Sequence, residues 1–256
     1  MLSPHLDDAA FSVGAFIHQQ TRSGSRLVVM TVLANDPAPT SDEPGSWDLA
    51  CGFKSAAVAA SARREEDRQA CAKLGATPVW LPYGDETYDR GASEAAIWAE
   101  VVAAIRDADT VLVPGYPLTH PDHLWVTKLV LGRRSEFDGD LGLYAEQPYA
   151  AGTLLSAHRR NASARPSVKL GRDMIEFAAR LLSVEGPPPS PTADPEVQSR
   201  RLDWQLVRTS WQDRRAKRRA VACYTSQLPA LGQLATLGAR LYELRRGGET
   251  IAWVKQ

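Results

Sequence analysis

The chain has 256 residues, a length that suits one α/β domain, and its 44% apolar content fills a sizeable core. Thirty basic residues balance thirty acidic ones, so no overall charge draws the chain to nucleic acid or to an anionic membrane. Three scattered cysteines, Cys51, Cys71 and Cys223, read as reduced thiols. With no bilayer-length apolar run and no secretory leader before the first motif, they point to a cytoplasmic protein without membrane insertion.

The predicted elements alternate along the chain. Residues 9–22 carry Phe11, Ala15 and His18 on one helical face. Residues 27–34 are continuously apolar and β-branched, as in a strand buried on both faces, and residues 79–83 and 110–114 are shorter versions. Residues 58–74 form a helical pattern ending at Gly75, and residues 93–107 repeat it with Ile97, Val101 and Ile105. Strand alternating with helix predicts a doubly wound, mostly parallel sheet with helices on both faces, in a single domain over residues 1–256. Residues 35–57 read as a long loop with Trp47 in its middle, and residues 184–197, with five prolines, as a surface loop. Residues 197–222 read as an arginine-bearing helix with a solvated face.

Two short stretches carry chemistry. Ser3-Pro4-His5-Leu6-Asp7-Asp8 precedes the first helix, and His120-Pro121-Asp122-His123 follows the strand at 110–114 and opens a helix. Each sits where a strand-to-helix loop of an open α/β sheet places ligand-binding groups. His5 and Asp8 are three apart, as are His120 and His123, so each pair shares a face of its turn. Two imidazoles and one carboxylate make a three-ligand metal site with a position left for water. A second carboxylate beside that water serves as general base, and the remaining histidine, held by Asp122, stabilises charge on the substrate. Taken singly, the first stretch also reads as a helix cap and the second as a surface turn. The dinucleotide, P-loop and Gly-x-Ser-x-Gly signatures are missing.

The motifs carry a family resemblance. Pro-His-Leu-Asp-Asp at 4–8 resembles the Pro-His-Pro-Asp-Asp motif of the LmbE-like, or PIG-L, zinc-dependent de-N-acetylases, and His-Pro-Asp-His at 120–123 matches their second motif. Arg63, Glu66, Ala70, Leu74 and Gly75 are similar to that family's intervening helix, and Lys217, Ala220, Tyr224, Ser226 and Gln227 to its later segment. The resemblance implies a Rossmann-like fold and hydrolysis of an N-acetyl group from a glucosamine-type sugar. It implies Zn2+ held by His5, Asp8 and His123, with Asp7 as general base. His120 then assists the tetrahedral intermediate, with Asp122 as its orienting partner. Leu6, followed by Ala9-Ala10, resembles the subgroup that deacetylates antibiotic sugars. Two features depart from the family. Leu118 stands where some members have a tyrosine, with Tyr116 nearby. Only Met1 and Leu2 precede Ser3, so the first strand is either short or completed by residues upstream.

Other candidates flank these motifs. Glu146, Gln147 and Tyr149 follow the strand-like run at 141–145 and fall at the sheet's active edge. Trp47 anchors its loop or stacks on a sugar face. Arg63 and Arg64 reach a substrate or pair with Glu65 or Glu66 on their own helix. His18 and His158, outside any motif, read as structural or exposed. Two alternatives to a zinc amidohydrolase stay open. A metal-dependent phosphoesterase requires two metals and more ligands. A non-catalytic, metal-stabilised sugar-binding protein has no use for the extra carboxylate of Asp7.

Overall fold

The computed structural model describes all residues except 37, 40, 152–193, 201 and 256. Strands β1 (Leu2–Ser3), β2 (Val28–Thr31) and β3 (Thr77–Trp80) form a parallel sheet in the order β1-β2-β3. Strands β4 (Thr110–Tyr116), β5 (Asp140–Ala145), β6 (Leu202–Arg208) and β7 (Gly248–Val254) form a second sheet in the order β4-β5-β7-β6. β4 and β5 are parallel, while β7 runs antiparallel to both β5 and β6. β1 lies beside β4, and the Tyr144 hydroxyl of β5 donates to the Leu2 carbonyl, so the two sheets meet at the site-bearing edge.

Helices α1 (Asp8–Arg22), α2 (Ser46–Ala50), α3 (Ala56–Leu74), α4 (Glu94–Ile105) and α5 (Pro121–Leu131) connect the strands. Helices α6 (Pro195–Gln198), α7 (Trp211–Val221), α8 (Gln227–Leu231) and α9 (Gln233–Arg246) come from the second half. Ser55 and Ser93 cap α3 and α4 through their side chains, and Gly75 ends α3 at φ 72°, a left-handed conformation that favours glycine. One apolar cluster joins α4 and α5 to the strands through Ile97, Val101, Val113, Val126 and Leu143. A second joins α1, α3 and α7 through Val13, Ile17, Ala70, Leu74 and Ala220. The sheet is therefore covered on both faces, as the alternating pattern requires.

The predicted helix over 197–222 is overturned for its first half. Residues 202–208 form β6, because Leu202, Trp204 and Val207 sit on a strand fully laddered to β7. Only α7 is the arginine-bearing helix. Residues 184–193 and His158 lie outside the described residues. The long loop at 35–57 contains α2, tethered by the Gly45 N–H to the Tyr88 hydroxyl and by Tyr88 to Asp48 at 2.6 Å. Trp47 is half-buried on α2.

Helix α1 breaks at Val13, where φ is −134° and ψ is 26°. The amides freed by the break are satisfied by the far end of the chain. Glu249 on β7 accepts from Ala15 N at 3.1 Å and Phe16 N at 2.7 Å. Lys217 on α7 donates to the Ser12 carbonyl at 3.3 Å and bridges Glu249 and Glu243. Gly14 makes room for it, since a Cβ there would sit 2.9 Å from Lys217 Cγ.

A second polar lock holds α1 to α7. Asp213 closes a capping box with Ser210 and accepts from His18 at 2.8 Å and Arg22 at 3.3 Å. Burial works against its charge, but hydrogen bonds from Ser210, His18 and Arg22 outweigh it and hold the carboxyl down to about 2. A depressed carboxyl stabilises the fold above its unfolded value of 3.8 and loses that contribution as pH falls through about 2. Asp213→Asn is expected to cost about 2 kcal/mol at neutral pH. Urea unfolding of parent and variant should show the gap closing between pH 4 and pH 2. A gap that does not vary with pH would assign the stabilisation to neutral hydrogen bonding instead.

Candidate active site and metal centre

The site forms beyond the carboxyl ends of β1, β4 and β5. The turn after β1 is organised by Ser3, whose hydroxyl donates to the His5 carbonyl at 2.7 Å and accepts from Ala9 N at 3.1 Å. Asp7 occupies the N-cap position of α1 but makes no side-chain cap bond, so the expected cap function falls elsewhere. The His5 N–H instead donates to Asp8 Oδ2 at 2.9 Å. In the second loop, His120 is the N-cap of α5, and Pro121 occupies the first turn, where its missing N–H costs nothing.

Three side-chain atoms form a nearly equilateral triangle. His5 Nδ1 lies 3.3 Å from Asp8 Oδ2 and 3.3 Å from His123 Nε2, and His123 Nε2 lies 3.2 Å from Asp8 Oδ2. A tetrahedral ion with bonds of about 2.0–2.1 Å separates its ligands by roughly 3.3–3.4 Å, so the donor set fits such an ion without rearrangement. His5, His120 and His123 also bring one nitrogen each within 4.8 Å of one another, which makes this cluster a candidate metal site.

Each ring is fixed by its other nitrogen. His5 Nε2 donates to Asp122 Oδ2 at 3.1 Å. His123 Nδ1 is held by Glu146 Oε2. His120 Nδ1 accepts from the Asp122 backbone N–H at 3.2 Å, and its Nε2 lies 3.5 Å from Glu86 Oε1. The expected pairing of Asp122 with His120 is thereby corrected. Only the backbone of Asp122 serves His120. Its carboxylate, fully buried, turns inward across the cleft to His5 and also accepts from Glu86 N at 2.9 Å and from Arg90.

Charge in the site follows from these pairs. Burial opposes ionisation of His5, but hydrogen bonds to Asp122 and Asp8 outweigh it and raise its pKa to about 9. Burial likewise opposes His123, and Asp8 and Glu146 raise it well above the usual value. Asp8 and Asp122 are both held below the carboxylate range by their histidine partners, against the effect of burial. His120 is lowered by burial and by the charges of His5 and His123. The raised values of His5 and His123 report the negative charge that Asp8, Asp122 and Glu146 place around them. Asp7 behaves oppositely: burial and then the charge of Asp8 push it up to about 7, against the pull of Arg63, His5 and His123.

All six motif residues therefore meet in one cleft. Glu146, placed at the active edge from sequence, joins them as the partner of His123. Its second oxygen accepts from Leu118 N at 2.9 Å, and Leu118 holds φ at 55°. Tyr149 packs its ring edge-on against His123 with centroids 5.4 Å apart. Gln147 is buried, with its N–H on Ser12 Oγ. Tyr116 does not reach the cleft: its buried hydroxyl has no partner among the described residues, and its ring packs on Trp204. The pairing of Arg63 and Arg64 within their own helix is also overturned. Arg63 lies on the buried face of α3 and pairs with Asp48 at 3.2 Å, while Arg64 donates to the carbonyls of Ala34 and Asn35. Glu86 and Arg90, in the loop after β3, carry no motif and were not marked by the sequence.

Solved structures of known proteins resemble this chain in fold. A solved deacetylase of an antimicrobial pseudoaglycone is 26% identical, covering 99% of this chain and 94% of its own at a TM-score of 0.70. A zinc-inhibited form of teicoplanin deacetylase is 21% identical, covering 98% and 95% at 0.67. The N,N'-diacetylchitobiose deacetylase of Pyrococcus horikoshii is 15% identical, covering 99% and 81% at 0.51, a likeness of fold alone. No curated protein matches the sequence. The family model described as PIG-L, GlcNAc-PI de-N-acetylase, matches residues 1–132, more than half of the chain and the whole of both motifs, so this protein belongs to the PIG-L family.

Proposed function

We propose that the chain is a zinc-dependent hydrolase that removes an N-acetyl, or longer N-acyl, group from an amino sugar carried on a small-molecule conjugate. The observation that carries this reading is the convergence of His5 Nδ1, Asp8 Oδ2 and His123 Nε2 on one point, with Asp7 beside it and its side chain making no cap bond to α1. The antibiotic-conjugate deacetylases among the solved structures support the substrate class. Their likeness over 99% of the chain supports reading residues 1–256 as one domain.

The hydrogen bonds favour one set of ligands. His5 and His123 commit one N–H each to Asp122 and Glu146, which leaves a lone pair on His5 Nδ1 and on His123 Nε2. His120 accepts a backbone N–H at Nδ1, so the neutral ring carries its proton on Nε2 and is a donor rather than a ligand. These bonds support His5, Asp8 and His123 as the ligand set. An ion held there supplies Lewis acidity toward the acyl carbonyl and toward water. Asp7, poised near neutrality, takes the proton of the attacking water and returns it to the departing amine, which leaves poorly without it. His120 Nε2–H donates to the carbonyl oxygen as that oxygen gains negative charge.

The direct experiment incubates the protein with N-acetylglucosamine conjugates and measures acetate and free amine together. Equimolar release, abolished by a chelator and restored by zinc, is expected. No release from any N-acetylated amino sugar would overturn the hydrolase reading in favour of a metal-stabilised sugar-binding protein.

A further inference from the structure

We infer that Arg90 is a positioning residue for the metal centre, acting through Asp122 on His5; this rests on the ligand set proposed above. Asp122 is fully buried and carries three donors. Oδ2 accepts from His5 Nε2 at 3.1 Å and from Glu86 N at 2.9 Å, and Oδ1 accepts from Arg90 Nη2 at 2.5 Å. A buried carboxylate is costly to ionise unless paired, and among the described residues Arg90 is the one permanent charge bonded to it. An ionised Asp122 is what obliges His5 to direct Nε2–H away from the cleft and Nδ1 into it.

Arg90 is itself held in place. Its guanidinium lies 4.1 Å from the ring centroid of Trp125 and donates to the Gly84 carbonyl at 3.4 Å. Trp125 is fixed in turn by its indole N–H on Glu94 Oε2 at 3.1 Å. A chain of contacts thus runs from Glu94 on α4 through Trp125 on α5 and Arg90 in the β3–α4 loop to Asp122 and His5. The same carboxylate binds the Glu86 amide, so the loop that supplies Arg90 is tied to the site at two points. Lysine is a poor substitute, because an ammonium lacks the planar fork that stacks on Trp125 while reaching Asp122.

The test titrates zinc into metal-free protein and reads the dissociation constant, with the melting temperature of the metal-free protein as a separate readout. Arg90→Ala is expected to weaken zinc binding about tenfold, within the range of lost outer-shell partners. Arg90→Lys should fall between variant and parent. Arg90→Met keeps the stem against Trp125 and removes only the charged fork; it decides the matter if the alanine variant does not fold, and about tenfold weaker binding is again expected. Unchanged zinc affinity in a folded Arg90→Met protein would overturn the inference, and a lowered melting temperature with unchanged affinity would assign Arg90 a structural role only. If the parent protein binds no zinc, the metal reading itself fails, which is a different outcome from equal binding by parent and variant.

Discussion

Asp7→Asn is expected to keep its fold and its metal while turnover on an N-acetylglucosamine conjugate falls roughly 10²–10⁴-fold, the scale for loss of a general base. The substitution preserves shape. It leaves His5, Asp8 and His123 in place, and because Asp7 makes no cap bond to α1, no helix-stabilising interaction is lost with it. Steady-state kinetics beside metal analysis reads both halves of the expectation. Near-normal acetate release would remove Asp7 from the mechanism. Loss of zinc alongside activity would show that Asp7 holds the ion rather than the proton.

The second large effect separates two neighbouring histidines. His123→Ala should strip most of the zinc, since it leaves a two-ligand site and takes from the buried Glu146 the imidazole partner of its Oε2. His120→Ala should retain zinc at the parent stoichiometry and lose on the order of 10²–10³ in turnover, as for a lost oxyanion donor. All three imidazoles lie close enough to share an ion. The distinction therefore rests on the Asp122 amide that occupies His120 Nδ1. Full occupancy in His123→Ala, or metal loss in His120→Ala, would reverse the ligand assignment.

The parallel half of the fold was legible because its strands are buried on both faces and its helices carry their own stop signals. β2, β4, α1, α3 and α4 lie close to where apolar runs, helical periodicity and Gly75 place them. β6 and β7 were not. Leu202–Arg208 is only half-buried, its charged and apolar residues suit a helix as well as a strand, and its partner lies some forty residues later. The site shows the same division. Its six motif residues declare themselves by type and spacing, whereas Arg90 and Glu86 belong to a loop whose meaning depends on which strand it crosses. Asp122 misled for a local reason: adjacency in sequence suggested His120, but the first turn of α5 aims the carboxylate at a residue 117 positions away.

Every proposed ligand and the proposed base lie between residues 5 and 123, yet the groups that secure them come from elsewhere in the chain. His123 is held by Glu146, and the Ala15 and Phe16 amides at the break in α1 are held by Glu249. β7, which carries Glu249, is also the inner strand between β5 and β6, so the edge of β5 stays open until β7 pairs with it. Metal capture is thereby coupled to the docking of β7. A proteolytic or recombinant fragment ending at residue 132 would contain both motifs and still bind zinc poorly, because Glu146, which orients His123, and Glu249, which secures the break in α1, lie beyond it.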